Sequence, residues 1–332
     1  MPISSGWRPG GEPPPVKVLV TGADGFVGRY LVRRLLADGH SVIAAIRGGA
    51  QGALSWLPPE AASGVQTIDL ELTDTASCEA AAARSLDAVV HLAAVASTRE
   101  ARQDPGAAWT VNAAGTARLA EALGAARAAG RSDPLLLVVS SGEVYGNGPP
   151  WPRNEADELR PQSPYAASKV GAEVAAREVA RRTGLRTIVA RPFQHIGPEQ
   201  GPIYVVPSLI RRIRDAMRTG ADTITTGNLE PVRDISDVRD TVSAYVALLT
   251  HGTPGETYNV ARGEGIALRD LLGRLTQLLG ARVKPETDPA LLRAGDIPHL
   301  VGDSTRLREA TGWTPAHSID QTLQDMLDAQ AD

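Results

Sequence analysis

Tyr165 and Lys169 are the residues whose types and spacing most directly suggest chemistry. Only three of the 34 basic residues are lysines, so a lysine here indicates a need for a compact ammonium that arginine cannot meet. On a helix, a spacing of four places both side chains on one face, one turn apart. A neighbouring cation favours tyrosinate, so we expect Lys169 to lower the pKa of Tyr165 and make it a general acid. The alternative is a helix on which the two residues are simply one turn apart.

The segment Thr21–Gly28 is typical of a dinucleotide-binding loop. It spaces its glycines as G-x-x-G-x-x-G between a predicted strand and a predicted helix. Glycines let the backbone approach a pyrophosphate, and the helix N-terminus attracts the anion. The predicted cofactor contacts of this loop are Gly22, Asp24, Gly25, Phe26, Val27 and Gly28. A glycine turn that serves packing only is the alternative.

The ends of the second and third strands predict the choice of cofactor. NAD sites usually place an acidic residue there to bind the ribose, whereas this chain has Arg47, which can pair with a 2′-phosphate. We therefore predict NADP(H), with NAD(H) as the alternative; a solvated surface arginine is the simpler interpretation of Arg47. Asp69 and Leu70 are predicted to lie beside the adenine.

The elements that must position these residues alternate along the first 190 residues. Predicted strands are Val16–Val20, Ser41–Ile46, Val65–Ile68, Ala88–His91, Leu135–Ser140 and Thr187–Ala190. Predicted helices are Phe26–Asp38, Thr75–Arg84, Pro105–Ala129 and Ser163–Thr183. This alternation predicts an α/β fold with a Rossmann-type, doubly wound parallel sheet.

Shorter elements after Pro192 predict a smaller C-terminal α/β lobe over the carboxyl ends of the sheet. They are helices near Val206–Arg218, Asp237–Leu249, Leu268–Leu279 and Ile319–Leu327, and a strand at Thr223–Thr225. We assign residues 1–15 to a disordered leader, 16–191 to the cofactor-binding domain with the catalytic residues, and 192–332 to the substrate-binding lobe.

Composition excludes several classes of function. Apolar residues make up 42% of the chain, the formal charge is −4, and the arginines are dispersed, so we predict no nucleic-acid partner. No apolar run approaches the roughly 20 residues of a membrane span. The single cysteine, Cys78, suits a reducing cytoplasm, and no metal site is predicted.

Six motifs in order resemble the nucleotide-sugar branch of the extended short-chain dehydrogenase/reductase family. They are Thr21–Gly28, His91–Ala94, Asn112–Thr116, Ser140–Gly146, Tyr165–Lys169 and Arg191–Phe193, within a resemblance over residues 16 to 328. The resemblance implies a catalytic triad of Ser141, Tyr165 and Lys169, in which Lys169 also bonds the nicotinamide ribose. It further implies cofactor contacts from Leu92, Ala93, Ala94, Asn112, Tyr165, Lys169 and Pro192.

The second half is most similar to GDP-mannose dehydratases and GDP-4-keto-6-deoxy-mannose reductases, through Phe193–Pro198 and the pair Arg233 and Asp234. The resemblance implies that Arg233 grips the nucleotide diphosphate. Arg239 is a weaker candidate because the next residue, an aspartate, offers it an ordinary ion pair, and His195 is expected to be a structural hydrogen-bonder. The implied substrate contacts are Ser141, Glu143, Gln194, Val206, Arg233 and Arg239.

The residues after Ser141 bear on the reaction. A 4,6-dehydratase needs acid/base groups beyond the triad, and family dehydratases carry an acidic or hydroxylic residue and then Glu, whereas this chain has Gly142 and Glu143. We therefore predict NADPH-dependent reduction of a GDP-linked 4-keto-6-deoxyhexose to a GDP-6-deoxyhexose such as GDP-D-rhamnose. The alternatives are a nucleotide-sugar 4,6-dehydratase or 4-epimerase with a retained cofactor, and a non-catalytic NADP(H)-sensing protein.

Small apolar residues on two helices predict a homodimer. Val170, Val174 and Ala175 share the helix of Tyr165, and the alanine-rich stretch Ala113–Ala129 is expected to pack beside it. Two such helices from each subunit would form the four-helix interface common in the family. The alternative is that these residues only cover the sheet.

Overall fold

The computed structural model describes residues 15–48, 54–292 and 296–329. Its strands are β1 Lys17–Thr21, β2 Ser41–Ile46, β3 Gln66–Asp69, β4 Ala88–His91, β5 Leu135–Val139, β6 Arg186–Pro192, β7 Gln194–Ile196, β8 Thr223–Thr226, β9 Val232–Asp237, β10 Thr257–Val260, β11 Gly265–Ala267, β12 Lys284–Thr287 and β13 His299–Leu300. Its helices are α1 Phe26–Ala37, α2 Pro59–Ala62, α3 Thr75–Ala82, α4 Thr98–Gln103, α5 Pro105–Ala108, α6 Gly115–Ala128, α7 Pro164–Thr183, α8 Val205–Thr219, α9 Val238–His251, α10 Leu268–Leu278, α11 Thr305–Thr311 and α12 Ile319–Asp328. The predicted leader lies outside the described residues, except for Pro15.

A seven-stranded sheet in the order β10-β6-β5-β4-β1-β2-β3 organises the molecule. All its pairings are parallel, so the carboxyl ends of the strands share one edge. The strand order reverses between β1 and β4, and ligands of open α/β sheets bind outside the carboxyl ends at such a point. This sheet confirms the predicted fold class.

Helices cover both faces of the sheet, which explains why its central strands are apolar runs without alternation. One face packs against α1, α9 and α11 through residues such as Leu31, Tyr245 and Leu307. The other packs against α3, α6 and α7 through residues such as Leu119 and Val179. The strands that lead to the candidate site therefore end on a rigid scaffold.

The chain after Pro192 builds a smaller unit and also returns to the large sheet. A mixed sheet of β7, β9, β11 and β13 and a pair of β8 with β12 accompany α8, α10 and α12, which share a separate apolar core. Strand β10, however, pairs in parallel with β6. The predicted division at residue 192 stays a prediction, and β10 and α9 cross it to reach the large sheet.

The predicted helix over Pro105–Ala129 is interrupted. A π-helical segment, Trp109–Ala114, separates α5 from α6. π-Helical turns are rare and occur often at functional sites, and this one contains Asn112.

Candidate active site

Ser141, Tyr165 and Lys169 converge beyond the carboxyl end of β5. Ser141 lies two residues after Val139, the last residue of β5, and caps a 3₁₀ turn, Gly142–Tyr145, by accepting a 3.1 Å hydrogen bond from the amide of Glu143. Tyr165 lies in the first turn of α7, close enough to the Ser141 hydroxyl for it to influence the Tyr165 pKa. The Lys169 ammonium is buried and donates to the Val139 carbonyl at 2.9 Å. The structure thus brings together the three predicted catalytic residues.

The expected effect of Lys169 on Tyr165 is wrong for this structure. Burial and the nearby Glu143 carboxylate raise the pKa of Tyr165 above its usual value, and the Ser141 hydroxyl offsets this only in part. Burial lowers the pKa of Lys169 to about 8, although Glu173 acts in the opposite direction. Desolvation outweighs the attraction between charges, so Tyr165 stays a phenol at neutral pH and retains a proton to donate.

A buried ion pair between Glu173 and Arg191 holds the elements that contain the three predicted catalytic residues. Glu173, one turn after Lys169, is fully buried and accepts hydrogen bonds from Arg191 at 2.9 and 2.7 Å and from the Ser140 hydroxyl at 2.6 Å. Arg191 also donates to the Tyr145 hydroxyl at 2.9 Å. These bonds connect α7, β6 and the 3₁₀ turn. The elements that contain Ser141 and Tyr165 are therefore held in fixed positions relative to each other. The sequence analysis did not assign Glu173 or Arg191 a role.

The glycine loop has the geometry that its spacing predicts. Gly22 has a φ of +66°, and a Cβ there would lie 3.0 Å from Ala93 Cα. A Cβ at Gly28 would lie 2.1 Å from the Gly22 carbonyl oxygen, so α1 and the loop pack too closely for any side chain. No side chain caps the N-terminus of α1, whose N-cap residue is Gly25. An uncapped helix N-terminus approached by glycines fits the pyrophosphate of a dinucleotide.

The other predicted residues of this loop differ in what they offer. Asp24 is exposed, and its carbonyl oxygen accepts from Arg29 at 2.8 Å. The Phe26 ring lies 6.4 Å from the His195 ring and parallel to it, while Val27 packs against the core. The side chains of Phe26 and Val27 therefore shape the loop, and contact of these residues with the cofactor stays a prediction.

A histidine that the sequence analysis did not assign holds the next strand end. His91 is buried and contacts the hydroxyls of Thr21 at 2.9 Å and Thr116 at 3.0 Å. Burial, and secondarily Lys169, lowers its pKa to about 3, so the ring is neutral. Thr21 in turn accepts from the amides of Leu92 and Ala93 at 3.1 and 3.0 Å. The network places the predicted cofactor segment Leu92–Ala94 against Gly22.

Asn112 occupies a buried position in which its side chain bonds protein. Its side chain is 1% exposed, accepts from the Val95 amide at 2.8 Å, and donates to the Val95 carbonyl at 3.1 Å and to Ser168 at 2.9 Å. The amide is thus engaged by protein, and its predicted contact with the cofactor stays a prediction. Asn112 holds the segment after β4 against α7.

Arg47, Asp69 and Leu70 lie at neighbouring strand ends. Ile46 pairs with Asp69, and the Asp69 carboxylate accepts from the Gly48 amide at 2.9 Å. Arg47 is exposed, as a residue that meets a 2′-phosphate must be. Leu70 is buried in the core, so its side chain does not face the ligand crevice.

The strand β6 ends at the buried Pro192, and Phe193 and Gln194 follow toward the site. Gln194 is half-buried at the start of β7. Glu143 is also half-buried, accepts from the Thr98 hydroxyl at 3.4 Å, and lies near enough to Tyr165 to raise its pKa. Both side chains are partly accessible, and their contact with substrate stays a prediction.

Gly142 packs against an aromatic ring. A Cβ at Gly142 would lie 3.0 to 3.1 Å from Cγ, Cδ1 and Cδ2 of Phe193. That distance is shorter than ordinary van der Waals contact, so the ring and glycine fit each other. A larger residue next to Ser141 requires Phe193 to move.

Two predicted substrate contacts of the second half, Val206 and Arg239, are engaged elsewhere in the protein, whereas His195 is placed as expected. Val206 is fully buried in the core of the smaller unit, which contradicts a substrate contact by its side chain. Arg239 pairs with Asp237 at 2.6 Å and Asp325 at 2.7 Å, so its ion pairs are structural, although they do not involve the next aspartate. His195 bonds the Phe193 carbonyl at 3.0 Å through Nδ1, and burial lowers its pKa, as expected of a structural histidine.

Arg233 is half-buried and already engaged by protein. It donates to the carbonyls of Val232 at 3.0 Å and Ile297 at 2.6 Å and to the Asp296 carboxylate at 2.9 Å. A diphosphate would have to share or replace these contacts. Its predicted role stays a prediction.

The family model described as GDP-mannose 4,6 dehydratase matches residues 19–326. The chain belongs to this family. Its relatives include GDP-6-deoxy-D-mannose reductase of Pseudomonas aeruginosa, 34% identical over 94% of this chain and 96% of that one. UDP-glucose 4-epimerase of Mycolicibacterium smegmatis is 33% identical over 93% of this chain and 98% of that one. The solved structure of RMD from Pseudomonas aeruginosa with NADPH has a TM-score of 0.79 at 33% identity and covers 95% of this chain and 98% of that one.

Membership of the GDP-mannose 4,6 dehydratase family confirms the predicted extended short-chain dehydrogenase/reductase family. It also confirms the predicted class of enzyme, an NAD(P)-dependent oxidoreductase. It leaves the reaction open between reduction, dehydration and epimerisation, because the relatives differ in these activities. Within the described ranges, no helix is both long and apolar enough to cross a bilayer.

Proposed function

We propose that the protein is an NADPH-dependent reductase of a GDP-4-keto-6-deoxyhexose and forms a GDP-6-deoxyhexose such as GDP-D-rhamnose. The observation that carries this proposal is the convergence of Ser141, Tyr165 and Lys169 beside a glycine that packs against Phe193. This site provides one proton donor and a hydroxyl to hold the ketone. Ketone reduction needs no more from the protein.

Each residue of the triad has a distinct role in the proposed reaction. A bound NADPH would supply the hydride that reduces C4. Tyr165 donates its phenolic proton to the ketone oxygen, which becomes the product hydroxyl, and the raised pKa keeps this proton in place until it is needed. Ser141 donates a hydrogen bond to the same oxygen and orients it, while Lys169 supplies positive charge one turn away.

Gly142 supports reduction over dehydration. Dehydration must remove the C5 proton and protonate the departing C6 hydroxyl, which needs a pair of acid/base groups besides Tyr165. The position next to Ser141 has no side chain and has no room for one while Phe193 keeps its place. Only Glu143 is left of the predicted pair.

The choice of NADPH rests on Arg47. It is an exposed guanidinium at the end of β2, on the strand next to β1 and its glycine loop, where a 2′-phosphate of the adenine ribose would lie. The NADPH-bound RMD structure supports the same choice. NAD(H) is the alternative cofactor.

Cofactor stoichiometry tests the proposed reaction. Incubation with GDP-4-keto-6-deoxymannose and NADPH should consume cofactor and sugar one for one, followed by absorbance and by chromatography of the product. The dTDP- and UDP-linked 4-keto-6-deoxy sugars test the nucleotide. Efficient conversion of GDP-mannose to its 4-keto-6-deoxy product with catalytic NADP⁺ would refute the reductase.

A 4,6-dehydratase or 4-epimerase is the second candidate, because the half-buried Glu143 lies near Tyr165 and one relative is an epimerase. Glu143→Gln separates the candidates. In a reductase Glu143 moves no proton, so the loss should be smaller than that of Tyr165→Phe. In a dehydratase the change removes the C5 base and should stop the reaction.

We also propose a homodimer through α6 and α7. A groove between these helices is lined mainly by small and apolar residues, and Trp109 and Val174 in it are 46% and 58% exposed. A partner copy would cover this apolar surface, as large exposed apolar patches usually require. A cytoplasmic location stays a prediction.

A further inference from the structure

Glu199 holds an unfavourable backbone conformation. Its φ is +67°, and among the described residues it is the only residue other than glycine with a positive φ. Left-handed geometry crowds the Cβ of an L residue against the backbone, so it persists only where the surrounding structure fixes it. Glu199 lies in a turn of residues 197–204, which connect β7 to α8. The contacts of its side chain show what fixes it.

The carboxylate of Glu199 forms an ion pair with α1. Arg33 donates to both carboxylate oxygens, from Nη1 to Oε1 at 2.8 Å and from Nη2 to Oε2 at 3.4 Å. A second guanidinium nitrogen, Nη1 of Arg29, lies 3.8 Å from Oε2. The Glu199 side chain is 38% exposed, so solvent screens this pair in part. Its two-bond geometry nevertheless fixes where the carboxylate lies.

Arg33 is itself held in place by neighbouring groups. Its Nη2 atom donates to the Trp56 carbonyl at 3.1 Å. Its Cζ atom lies 5.2 Å from the centroid of the Trp56 ring and 5.7 Å from that of the Tyr30 ring, within the range of cation–π attraction. The guanidinium is therefore oriented by α1 and residue 56, and Glu199 meets a preorganised partner.

The same face of α1 contacts this part of the chain at two further points. The Tyr30 hydroxyl donates to the Pro198 carbonyl at 3.0 Å. The Phe26 ring lies parallel to the His195 ring at 6.4 Å between centroids. Phe26, Tyr30 and Arg33 are four and three residues apart, which places them on one face of the helix. The helix whose N-terminus fits a pyrophosphate thus runs along residues 195–199.

The far end of residues 197–204 lies near the proton donor. Tyr204 directly precedes α8 and is 37% exposed. Burial and Glu143 raise the pKa of Tyr165, and Tyr204 raises it further, so the two phenols are close enough to interact. Burial also raises the pKa of Tyr204, as does the Glu100 carboxylate of α4. Residues 197–204 therefore extend from α1 to the surroundings of Tyr165.

Hydrogen bonds within this stretch connect its two ends. The Gln200 side chain donates to the His195 carbonyl at 3.1 Å, and its amide donates to the Gly197 carbonyl at 3.3 Å. The Tyr204 amide donates to the Gly201 carbonyl at 3.3 Å. Two successive turns are closed in this way, so a shift at the first turn is transmitted to the second.

We propose that Glu199 is a positioning residue, whose pair with Arg33 fixes residues 197–204 on α1 and thereby holds Tyr204 beside Tyr165 for binding of the sugar substrate. The inference rests on the proposed function for the identity of the sugar. In this role Glu199 transfers no proton, so it affects how the sugar binds and leaves the chemical step unchanged. The alternative is an ion pair that only stabilises the fold.

Variants of the pair separate these interpretations. Glu199→Ala and Arg33→Gln each remove the ion pair, whereas Glu199→Gln keeps a hydrogen-bond acceptor for Arg33. Glu199→Gly removes the carboxylate and the unfavourable φ together, so its melting temperature should be at least that of Glu199→Ala. Arg34→Gln is the matched control, because Arg34 lies on the same helix and pairs with Asp38 at 2.7 Å on the surface.

Hydrogen exchange tests the structural step without any ligand. The backbone amides of residues 197–204, followed by mass spectrometry, should exchange about 3- to 10-fold faster in Glu199→Ala and Arg33→Gln, as for loss of a partly exposed ion pair with two bonds. Glu199→Gln should fall between Glu199→Ala and wild type. Arg34→Gln should match wild type.

Steady-state kinetics test the functional step. The KM for the 4-keto-6-deoxy sugar should rise about 3- to 10-fold in Glu199→Ala, Glu199→Gly and Arg33→Gln, with kcat and the Kd of NADPH within about twofold of wild type. The rise in Glu199→Gly should occur whatever its melting temperature. A role in stability alone does not predict this separation.

Unchanged exchange of residues 197–204 in Glu199→Ala, or a lower melting temperature with an unchanged KM for the sugar, would overturn the positioning role. Failure of the proposed function looks different. In that case exchange would change as expected, but the wild-type protein would consume no NADPH with the 4-keto-6-deoxy sugar. Calorimetric affinity for GDP-mannose then makes the same comparison between variants, and equal affinities would overturn the role.

Discussion

Replacing either member of the buried Glu173 and Arg191 pair should destabilise the protein strongly. Glu173 and Arg191 are 0% and 3% exposed and share two hydrogen bonds of 2.9 and 2.7 Å. Removal of one partner leaves the other charge buried, which typically costs about 3–5 kcal/mol. Glu173→Gln and Arg191→Met should each lower the free energy of unfolding by about this amount.

The double variant separates a paired interaction from two independent losses. Glu173→Gln with Arg191→Met removes both charges, so its cost should be close to that of one single variant. The coupling energy should then equal about one single loss, about 3–5 kcal/mol, at or above the upper end of the usual range of about 0.5–3 kcal/mol. Arg177, 3.4 Å from Glu173 and partly exposed, still faces the Glu173 carboxylate in Arg191→Met and so reduces the loss in that variant.

Urea unfolding at pH 7, followed by circular dichroism, measures these free energies, provided that the m-values agree. The exposed pair of Arg160 and Glu158 is the matched control and should show no measurable change. Single variants that cost less than about 1 kcal/mol, or a double variant whose cost is the sum of the singles, would refute the reasoning. The singles should also lose turnover, because Glu173 bonds Ser140, the neighbour of Ser141.

Four further outcomes are expected. Tyr165→Phe should reduce turnover by about 10²–10⁴-fold while NADPH binding in a fluorescence titration stays intact, and activity within about threefold of wild type would contradict it. Arg47→Ala should weaken NADPH by about 10- to 100-fold and leave NADH unchanged, whereas equal losses would contradict the role of the 2′-phosphate. The value of kcat/KM for NADPH, which reports the free enzyme, should fall as pH rises through about 8, where Lys169 loses its proton; a flat profile to pH 10 would oppose this. Val174→Glu should give a monomer by light scattering, and a monomeric wild type would exclude the dimer.

The first half of the fold was largely predictable because each element carries its own pattern. The strands β2 and β4 have the predicted bounds, and α1 and α7 begin or end within one residue of prediction. Local sequence patterns fail where contacts between distant parts of the chain determine the secondary structure. The short strand β10 is set by its pairing with β6, and the π-helical turn around Asn112 is set by bonds to Val95 and Ser168.

The sequence predicted that the three triad residues come together, but it did not predict their pKa values. Motif spacing indicated Ser141, Tyr165 and Lys169, and the structure brings them together. The direction of the Tyr165 pKa was wrong because burial depends on the whole fold, which spacing does not report. Arg239 and Val206 likewise differ from prediction because a sequence names neither the partners of an arginine nor the depth of a valine.

The Phe193 ring contacts Gly142 and Gly302, and these contacts limit which substitutions this protein can accept at the three positions during evolution. A Cβ would lie 3.0 Å from the ring at Gly142 and 2.5 Å from it at Gly302. A single mutation that adds a carboxylate beside Ser141 therefore meets the ring before it can serve any reaction. The three positions should vary together among relatives, so that a chain with a larger residue at 142 also carries a smaller or displaced one at 193. Gain of a second acid/base group at 142 would then require the Phe193 ring to shift by a few tenths of an ångström, toward a Gly302 that has no side chain to oppose it.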